Sequence, residues 1–257
     1  MRELLKTEHL SVSFFTKSGE VEAVRDVSLT VEEGEVLAIV GESGCGKSAL
    51  CKSIMKLLPK TAKIKSGKIL ADGIDITDYT QRNMSRLRGD LFSMIFQDPM
   101  TALNPTMTIG KQIEEAVRIH NKKMPKKQVK KKVLELMQLV EIDEPEVRIF
   151  DVFRRIQKKL GMATVFISHD LGVVAGVADR VAVMYAGKIV EIGTAEEIFY
   201  DPRHPYTWGL LQSLPILSRG KEWLPTLPGM PPTLIHPPKG DAFAERNAYA
   251  MRIDYEK

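Results

Sequence analysis

The sequence predicts an α/β fold organised around a phosphate-binding loop. Residues 41–48 read GESGCGKS and fit the pattern G-x-x-x-x-G-K-[ST] without a mismatch. The residues before them, 36–40, form an unbroken apolar run, which is typical of a buried strand in a parallel sheet. Residues 47–58 are compatible with a helix that Pro59 would end. A strand, a glycine-rich turn and a helix in this order indicate a nucleotide site.

The residue types of this loop suit a nucleotide phosphate group. Glycines allow backbone N–H groups to curl inward around phosphate oxygens, and the N-terminus of the following helix adds partial positive charge. Lys47 is expected to reach the β- and γ-phosphates, and Ser48 to offer its hydroxyl to Mg²⁺. A glycine-rich turn without a ligand is the competing interpretation. The candidate binding residues are Gly41, Glu42, Ser43, Gly44, Cys45, Gly46, Lys47 and Ser48.

Composition narrows the class of protein. The 257 residues are enough for one domain with appendages, and 44% apolar and 27% charged residues are ordinary for a globular chain. A net charge of +4 suits an anionic ligand or a membrane surface but does not by itself indicate nucleic acid. Cys45 and Cys51 lie in or just after the loop, so we expect no structural disulfide and a reducing, cytosolic compartment. We find neither a signal peptide nor an apolar run long enough to cross a bilayer.

The N-terminal half reads as strands and a hairpin around the loop. Residues 9–15 alternate in polarity like a half-buried strand, and residues 23–31 form a second strand-like run. Residues 66–77 predict a hairpin that turns at Asp72-Gly73. A short helix is expected over 81–88, followed by an apolar strand over 91–96.

The second half alternates helices and strands. Helical periodicity covers 109–120 and 126–140, where seven lysines fall between Lys122 and Lys132. Because no aromatic residues interleave with these lysines, we favour the solvated face of a surface helix over a nucleic-acid or lipid patch. Residues 163–168 predict a buried strand that delivers His169 to the sheet edge where ligands gather. Further expected elements are helices over 151–160, 171–178, 195–200 and 205–214, a strand pair over 181–192 and a proline-rich arm over 225–238.

Taken together, these motifs resemble the ATP-binding subunits of ABC transporters. Residues 41–48 match the Walker A loop of that family, and Phe14 lies where the family has an aromatic residue that stacks on adenine. Residues 96–99, FQDP, match the Q-loop, which implies that Gln97 contacts Mg²⁺ and the attacking water. Residues 167–171, ISHDL, match the switch loop, which implies that His169 contacts the γ-phosphate.

Other stretches resemble the oligopeptide/dipeptide importer branch. They are the MTALNPTMTIGKQI sequence after the Q-loop, HPYT at 204–207 and LPGMPP at 227–232. The resemblance implies a RecA-like parallel core with an antiparallel β subdomain and a helical subdomain, plus a Pro-rich C-terminal extension. The expected boundaries are 1–214 for the nucleotide-binding domain, about 98–149 for its helical subdomain, and 215–257 for the extension.

The same resemblance implies ligands, partners and location. ATP and Mg²⁺ are the expected ligands. The expected partners are a second, usually different, ABC ATPase subunit, two membrane permease subunits and, indirectly, an extracytoplasmic peptide-binding protein, with no nucleic acid. The chain would work peripherally at the cytoplasmic face of the cell membrane.

Two motifs of that family are missing between Gln97 and His169. This interval contains no L-S-G-G-Q-like signature and no Gly-Gly pair. Asp143-Glu144 is a candidate for Walker B, which ends an apolar strand in Asp-Glu. However, Gln138 and Glu141 interrupt the apolar run before it, so these residues are typical of the end of an amphipathic helix. We therefore infer that a block of several tens of residues, including the Walker B strand, is absent near 148–150.

The missing block leaves three functional hypotheses. The first is an ATP-hydrolysing motor subunit whose sequence here is incomplete. The second is a degenerate, non-hydrolysing nucleotide-binding subunit that pairs with an active partner. The third is a soluble ABC ATPase acting on nucleic acid, which the importer-like stretches disfavour.

One further departure concerns an iron–sulfur cluster. Many subunits of this branch carry cysteines in a pattern like G-C-x-F-x-x-R-C near the C-terminus. In residues 240–247, GDAFAERN, Asp241 and Asn247 occupy the two cysteine positions. We therefore predict that the protein holds no iron–sulfur cluster.

Overall fold

A computed structural model describes residues 2–89, 91–95, 107–121, 123–140, 157, 159, 161–168, 171–213 and 227–256. The chain divides into two compact units: Met1–Asp78 with Phe153–Lys257, and Tyr79–Val152. The domain boundaries expected from the sequence stay predictions.

The first sheet of the larger unit is antiparallel. Its strands run in the order β2-β1-β4-β5 and are β1 (Glu3–Thr16), β2 (Gly19–Glu32), β4 (Ala62–Ala71) and β5 (Ile74–Asp75). The predicted hairpin is confirmed, since β4 and β5 pair and the turn residues Asp72 and Gly73 have φ values of 48° and 77°. Positive φ at both central positions is the requirement of a type I′ turn.

The second sheet carries the phosphate loop. Its order is β6-β3-β7-β8, with β3 (Val36–Val40), β6 (Thr164–Ile167), β7 (Arg180–Tyr185) and β8 (Lys188–Thr194). The central strand β3 runs parallel to both β6 and β7, and all five of its residues are buried. The apolar run before the loop is therefore the buried parallel strand that its composition predicts.

Three helices and parts of a C-terminal segment (residues 227–256) pack on this sheet. The helices are α5 (Leu171–Val177), α6 (Ala195–Tyr200) and α7 (Pro205–Gln212). The larger unit also contains α1 (Lys47–Ile54), a 3₁₀ turn at Ala244–Arg246 and α8 (Arg252–Glu256). Residues 227–243 form neither helix nor strand, yet Leu227 and Leu234 pack against the core beneath β7. Phe243 is only 2% exposed and belongs to that core.

The smaller unit is helical in its described parts. It contains α2 (Gln81–Leu87), α3 (Ile109–His120) and α4 (Lys126–Val140). Val117 of α3 packs with Val129 and Val133 of α4, and all three side chains are buried. The lysines of α4 point to solvent, as predicted for a surface helix. None of the helices in the described ranges is long and apolar enough to span a bilayer.

The strand predicted over 91–96 is wrong for its described part. Residues 91–95 form a turn, one isolated bridge between Arg88 and Phe92, and irregular chain. Ile95 is 86% exposed, although its apolar character favoured burial. A strand requires a neighbour to accept its hydrogen bonds, and no strand of the described residues pairs with this segment.

Candidate nucleotide-binding site

The phosphate loop joins β3 to α1 and depends on its glycines. Gly41, Gly44 and Gly46 have φ values of 146°, 81° and 111°, a region that other residues rarely adopt. A Cβ on Gly41 would collide with the carbonyl oxygen of Met184, and one on Gly46 with that of Ala23. The spacing of the motif therefore reflects both backbone conformation and close contact with β2 and β7.

The lysine of the motif lies across the loop. The Nζ of Lys47 donates to the carbonyl oxygens of Gly41 at 2.7 Å and Glu42 at 2.8 Å. Within the described part of the chain, the backbone N–H groups of Gly44, Gly46 and Ser48 have no acceptor. The side chain of Ser48 is exposed at the first turn of α1. One ammonium group and three N–H groups without a described acceptor, at the start of a helix, fit the charge and the oxygens of a phosphate chain.

Both cysteines are neutral thiols, one within this loop and one in α1. Burial raises the pKa of Cys45, and the ammonium of Lys47, whose Nζ lies 3.5 Å from its sulfur, partly opposes that effect. Burial raises the pKa of Cys51 to about 12. The two thiols therefore add no negative charge to a site that would hold an anion.

The turn between β7 and β8 supports the middle of the loop. The N–H of Gly187 donates to the carbonyl oxygen of Cys45 at 2.9 Å, and its own carbonyl accepts from the N–H of Arg25 at 2.7 Å. The predicted turn at Ala186-Gly187 is thus confirmed, with φ values of 46° and 83°. This contact joins the two sheets at the loop.

Two residues that the sequence analysis did not assign hold Glu42. The hydroxyl of Tyr206 accepts a hydrogen bond from the Glu42 N–H at 2.8 Å. The guanidinium of Arg246 donates to both carboxylate oxygens of Glu42, at 2.7 and 3.0 Å. Tyr206 lies in HPYT, which resembles the importer branch, and Arg246 lies in GDAFAERN, which departs from that branch at both cysteine positions. Nothing in either stretch indicates a contact with the loop.

An aromatic cluster lies behind these contacts. The ring centroids of Tyr185 and Tyr206 are 4.5 Å apart, and Phe243 lies 5.4 Å from each. Burial raises the pKa of both tyrosines, so their hydroxyl groups stay protonated and neutral. The C-terminal segment thereby contributes an apolar wall and a charged group to the same region of the loop.

Phe14 lies one strand away from the loop. It pairs with Val21 of β2, two residues from Ala23, whose carbonyl oxygen faces Gly46. Its side chain is half-buried. This placement is compatible with an adenine platform, and that role stays a prediction.

The remaining predicted site residues, Gln97 and His169, lie outside the described residues. The strand before His169 is nevertheless present, because β6 pairs in parallel with β3 and Ile167 is opposite Ile39. Its predicted burial is wrong, since β6 lies at the end of the sheet order and all four of its residues are only half-buried. The carboxyl end of β6 therefore lies at the sheet edge where the phosphate loop begins. The roles of Gln97 and His169 stay predictions.

Asp241 and Asn247, which occupy the two cysteine positions of the iron–sulfur pattern, accept hydrogen bonds from nearby backbone N–H groups. The carboxylate of Asp241 accepts from the N–H of Phe243 at 3.0 Å, and the side-chain oxygen of Asn247 from the N–H of Tyr249 at 3.0 Å. Each contact stabilises a turn around the 3₁₀ segment. The expectation of no iron–sulfur cluster stays a prediction.

Two family profiles match the chain. One, described as "ABC transporter", matches residues 24–163, and a second, described as "Oligopeptide/dipeptide transporter, C-terminal region", matches residues 190–253. The first contains the phosphate loop, and the second contains Tyr206 and Arg246.

Full-length relatives are similar over nearly the whole chain. It is 47% identical to the oligopeptide transport ATP-binding protein OppD of Bacillus subtilis, over 99% of this chain and 84% of that protein. It is 44% identical to the dipeptide transport ATP-binding protein DppD of Lactococcus lactis, over 99% of this chain and 86% of the relative. Among solved structures, a bacterial ABC transporter cassette has a TM-score of 0.64 at 19% identity, covering 74% of this chain and 98% of its own, which supports the fold.

The alignment to the Bacillus relative also indicates missing residues. It spans 301 positions, and 99% of 257 residues is about 254, so about 47 positions of the relative have no counterpart here. This difference agrees with a missing block of several tens of residues. Its predicted location near 148–150 lies outside the described residues and stays a prediction.

Proposed function

Because the chain belongs to the ATP-binding subunits of ABC transporters, in the oligopeptide/dipeptide branch, we propose that it is the ATP-binding motor subunit of a peptide importer. ATP binding and hydrolysis would drive the membrane subunits between access states. The observation that carries this proposal is the phosphate loop, in which Lys47 Nζ donates to the carbonyl oxygens of Gly41 and Glu42 and the N–H groups of Gly44, Gly46 and Ser48 have no acceptor among the described residues.

Each predicted site residue has a role in this proposal. Lys47 and the loop amides bind the phosphates, and Phe14 stacks on adenine. Ser48 and Gln97 hold Mg²⁺, which when bound neutralises charge on the β- and γ-phosphates. His169 contacts the γ-phosphate. Catalysis of this type depends on positioning and charge stabilisation, without a covalent intermediate on the protein.

The proposal includes an assembly at the membrane. The names of the relatives describe peptide transport, which requires membrane permease subunits. We propose two such subunits, a second ABC ATPase subunit, and an extracytoplasmic peptide-binding protein that acts through them. The chain would attach peripherally to the cytoplasmic face of the membrane.

Replacing Lys47 tests the nucleotide site. Lys47→Ala should raise the Kd for MgATP roughly tenfold or more, because a hydrogen bond to a charged group contributes about 1.5–3 kcal/mol and each 1.4 kcal/mol is a factor of ten. Isothermal titration calorimetry on the purified chain measures the change. Lys60→Ala is the matched control, since Lys60 is an exposed lysine beyond α1. Equal Kd values for wild type and Lys47→Ala would contradict the proposal.

A second candidate is a nucleotide-binding subunit that does not hydrolyse ATP by itself. It is favoured by the missing signature and Walker B motifs and by the roughly 47 unmatched positions. A chain of verified mass 28.8 kDa should then bind MgATP but release no more phosphate than Lys47→Ala does. Turnover that is present in this chain alone and lost in Lys47→Ala would exclude this candidate and favour the motor role.

A further inference from the structure

Arg246 is a buried arginine of the C-terminal segment that contacts the phosphate loop. Only 4% of its side chain is exposed, and its Nη1 and Nη2 donate to the Glu42 carboxylate at 2.7 and 3.0 Å. The paired geometry matches the planar guanidinium to the planar carboxylate, which a lysine cannot reproduce. The hydrogen bonds that Arg246 donates to Glu42 raise the pKa of Arg246, so the group remains charged.

Two further N–H groups of Arg246 also have acceptors. Its Nε donates to the carbonyl oxygen of Pro228 at 2.7 Å, and its Nη1 also donates to the Tyr185 hydroxyl at 3.2 Å. Its guanidinium carbon lies 5.7 Å from the ring centroid of Tyr185 and 5.8 Å from that of Phe243. These contacts hold the guanidinium in one orientation, unlike that of an exposed ion pair.

Glu42 is held at its other groups as well. Its N–H donates to the Tyr206 hydroxyl at 2.8 Å, and its carbonyl oxygen accepts from Lys47 Nζ at 2.8 Å. Restraining the side chain and the N–H of Glu42 therefore restrains the carbonyl that orients the Lys47 ammonium. Arg246 can therefore influence the orientation of the Lys47 ammonium without contacting a phosphate itself.

We propose that Arg246 is a positioning residue of the nucleotide site, through which the C-terminal segment sets the affinity of the phosphate loop for MgATP by fixing Glu42. The inference rests on the proposed binding of nucleotide at Gly41–Ser48. It assigns to the C-terminal segment a part in nucleotide binding that its family description does not mention.

Three single variants and one double variant test the contact with calorimetric MgATP titrations. Arg246→Met should raise the Kd about tenfold or more, the size of effect that outer partners of bound-ion ligands commonly have. The Kd of Arg246→Lys should lie between those of Arg246→Met and wild type, because lysine keeps the positive charge but cannot donate two parallel hydrogen bonds to the carboxylate. Glu42→Gln keeps the shape of the side chain, removes its charge and should also weaken binding. Both residues act through one contact. The Kd of the double variant Glu42→Gln/Arg246→Met should therefore be no higher than the higher of the two single-variant Kd values.

Two controls separate positioning from stability. Arg252→Met removes an exposed ion pair with Glu256 in the same segment and should change neither Kd nor Tm. Arg180→Met removes a partly buried pair with Glu35 at the opposite end of β7, and should lower Tm while leaving the Kd within twofold of wild type.

The outcomes are distinguishable from those of the proposed function. If wild type binds MgATP and Lys47→Ala does not, but Arg246→Met and Glu42→Gln have lower Tm and wild-type Kd, then Arg246 is only structural and the inference is overturned. If Arg246→Met does not fold, Glu42→Gln decides alone in the same way. If Lys47→Ala binds like wild type, the site itself is wrong.

Discussion

His204 illustrates how one residue makes an element sensitive to pH. Its Nδ1 accepts a hydrogen bond from the N–H of Tyr206 at 3.1 Å and caps the start of α7. This bond requires an unprotonated Nδ1. Burial lowers the pKa of His204, and the nearby Asp241 and Glu191 partly oppose that effect.

We expect acid to destabilise the protein through His204. As pH falls below about 6.5, the unfolded chain binds a proton that the folded chain does not, so the free energy of unfolding decreases. His204→Asn keeps a good N-cap without the titration. Wild type should therefore lose more Tm between pH 7.5 and 5.5 than the variant does, in scanning calorimetry.

The comparison of wild type with His204→Asn controls for the other histidines. The other four histidines are unchanged in the variant, so they contribute equally to both measurements. Parallel Tm curves for the two proteins would mean that His204 titrates alike in the folded and unfolded chains.

At the scale of elements, the carboxylate of Glu191 fixes where α7 begins. It accepts hydrogen bonds from the N–H of Arg203 at 2.5 Å, the N–H of His204 at 3.1 Å and the hydroxyl of Thr207 at 2.5 Å. Strand β8 thereby positions the helix that carries Tyr206, and Tyr206 in turn binds the phosphate loop.

Glu191→Gln should destabilise this connection. The amide nitrogen cannot accept, so at least one donor loses its partner, at a cost of about 1–3 kcal/mol. The corresponding decrease in Tm is about 2–4 °C per kcal/mol for a chain of this size. Glu196→Gln, an exposed glutamate in the first turn of α6, is the control and should change Tm by much less. A Tm equal to that of the control would contradict the assigned role.

Strands could be predicted where their pairing partners are present. The apolar run of β3 and the alternation in β1 both lie in sheets that match the sequence prediction. Residues 91–95 have the same apolar character and form no strand. The polarity pattern of a segment indicates which of its side chains would be buried. A strand also needs neighbouring strands for its backbone hydrogen bonds, and the sequence of one segment does not indicate whether such neighbours exist.

For the whole molecule, local motifs indicate the phosphate loop more clearly than the residues that support it. The loop at 41–48 is readable because eight consecutive residues carry its chemistry. Arg246 and Glu42 are 204 positions apart, and neither belongs to a periodic pattern that would indicate a contact. Tyr206 belongs to the HPYT stretch, which indicates the transporter branch but not a contact with the loop. Supports of this kind depend on tertiary packing and therefore require a structure.

The distance between Glu42 and Arg246 along the chain has a consequence for biosynthesis. A ribosome makes the N-terminal part first, so the phosphate loop emerges long before the residue that braces it. During that interval Glu42 lacks its guanidinium partner, and Tyr206 is also among the later residues. The loop acquires its full set of restraints only after Arg246 has been translated, 204 positions after Glu42, so the bracing of the loop follows its own synthesis by a long interval.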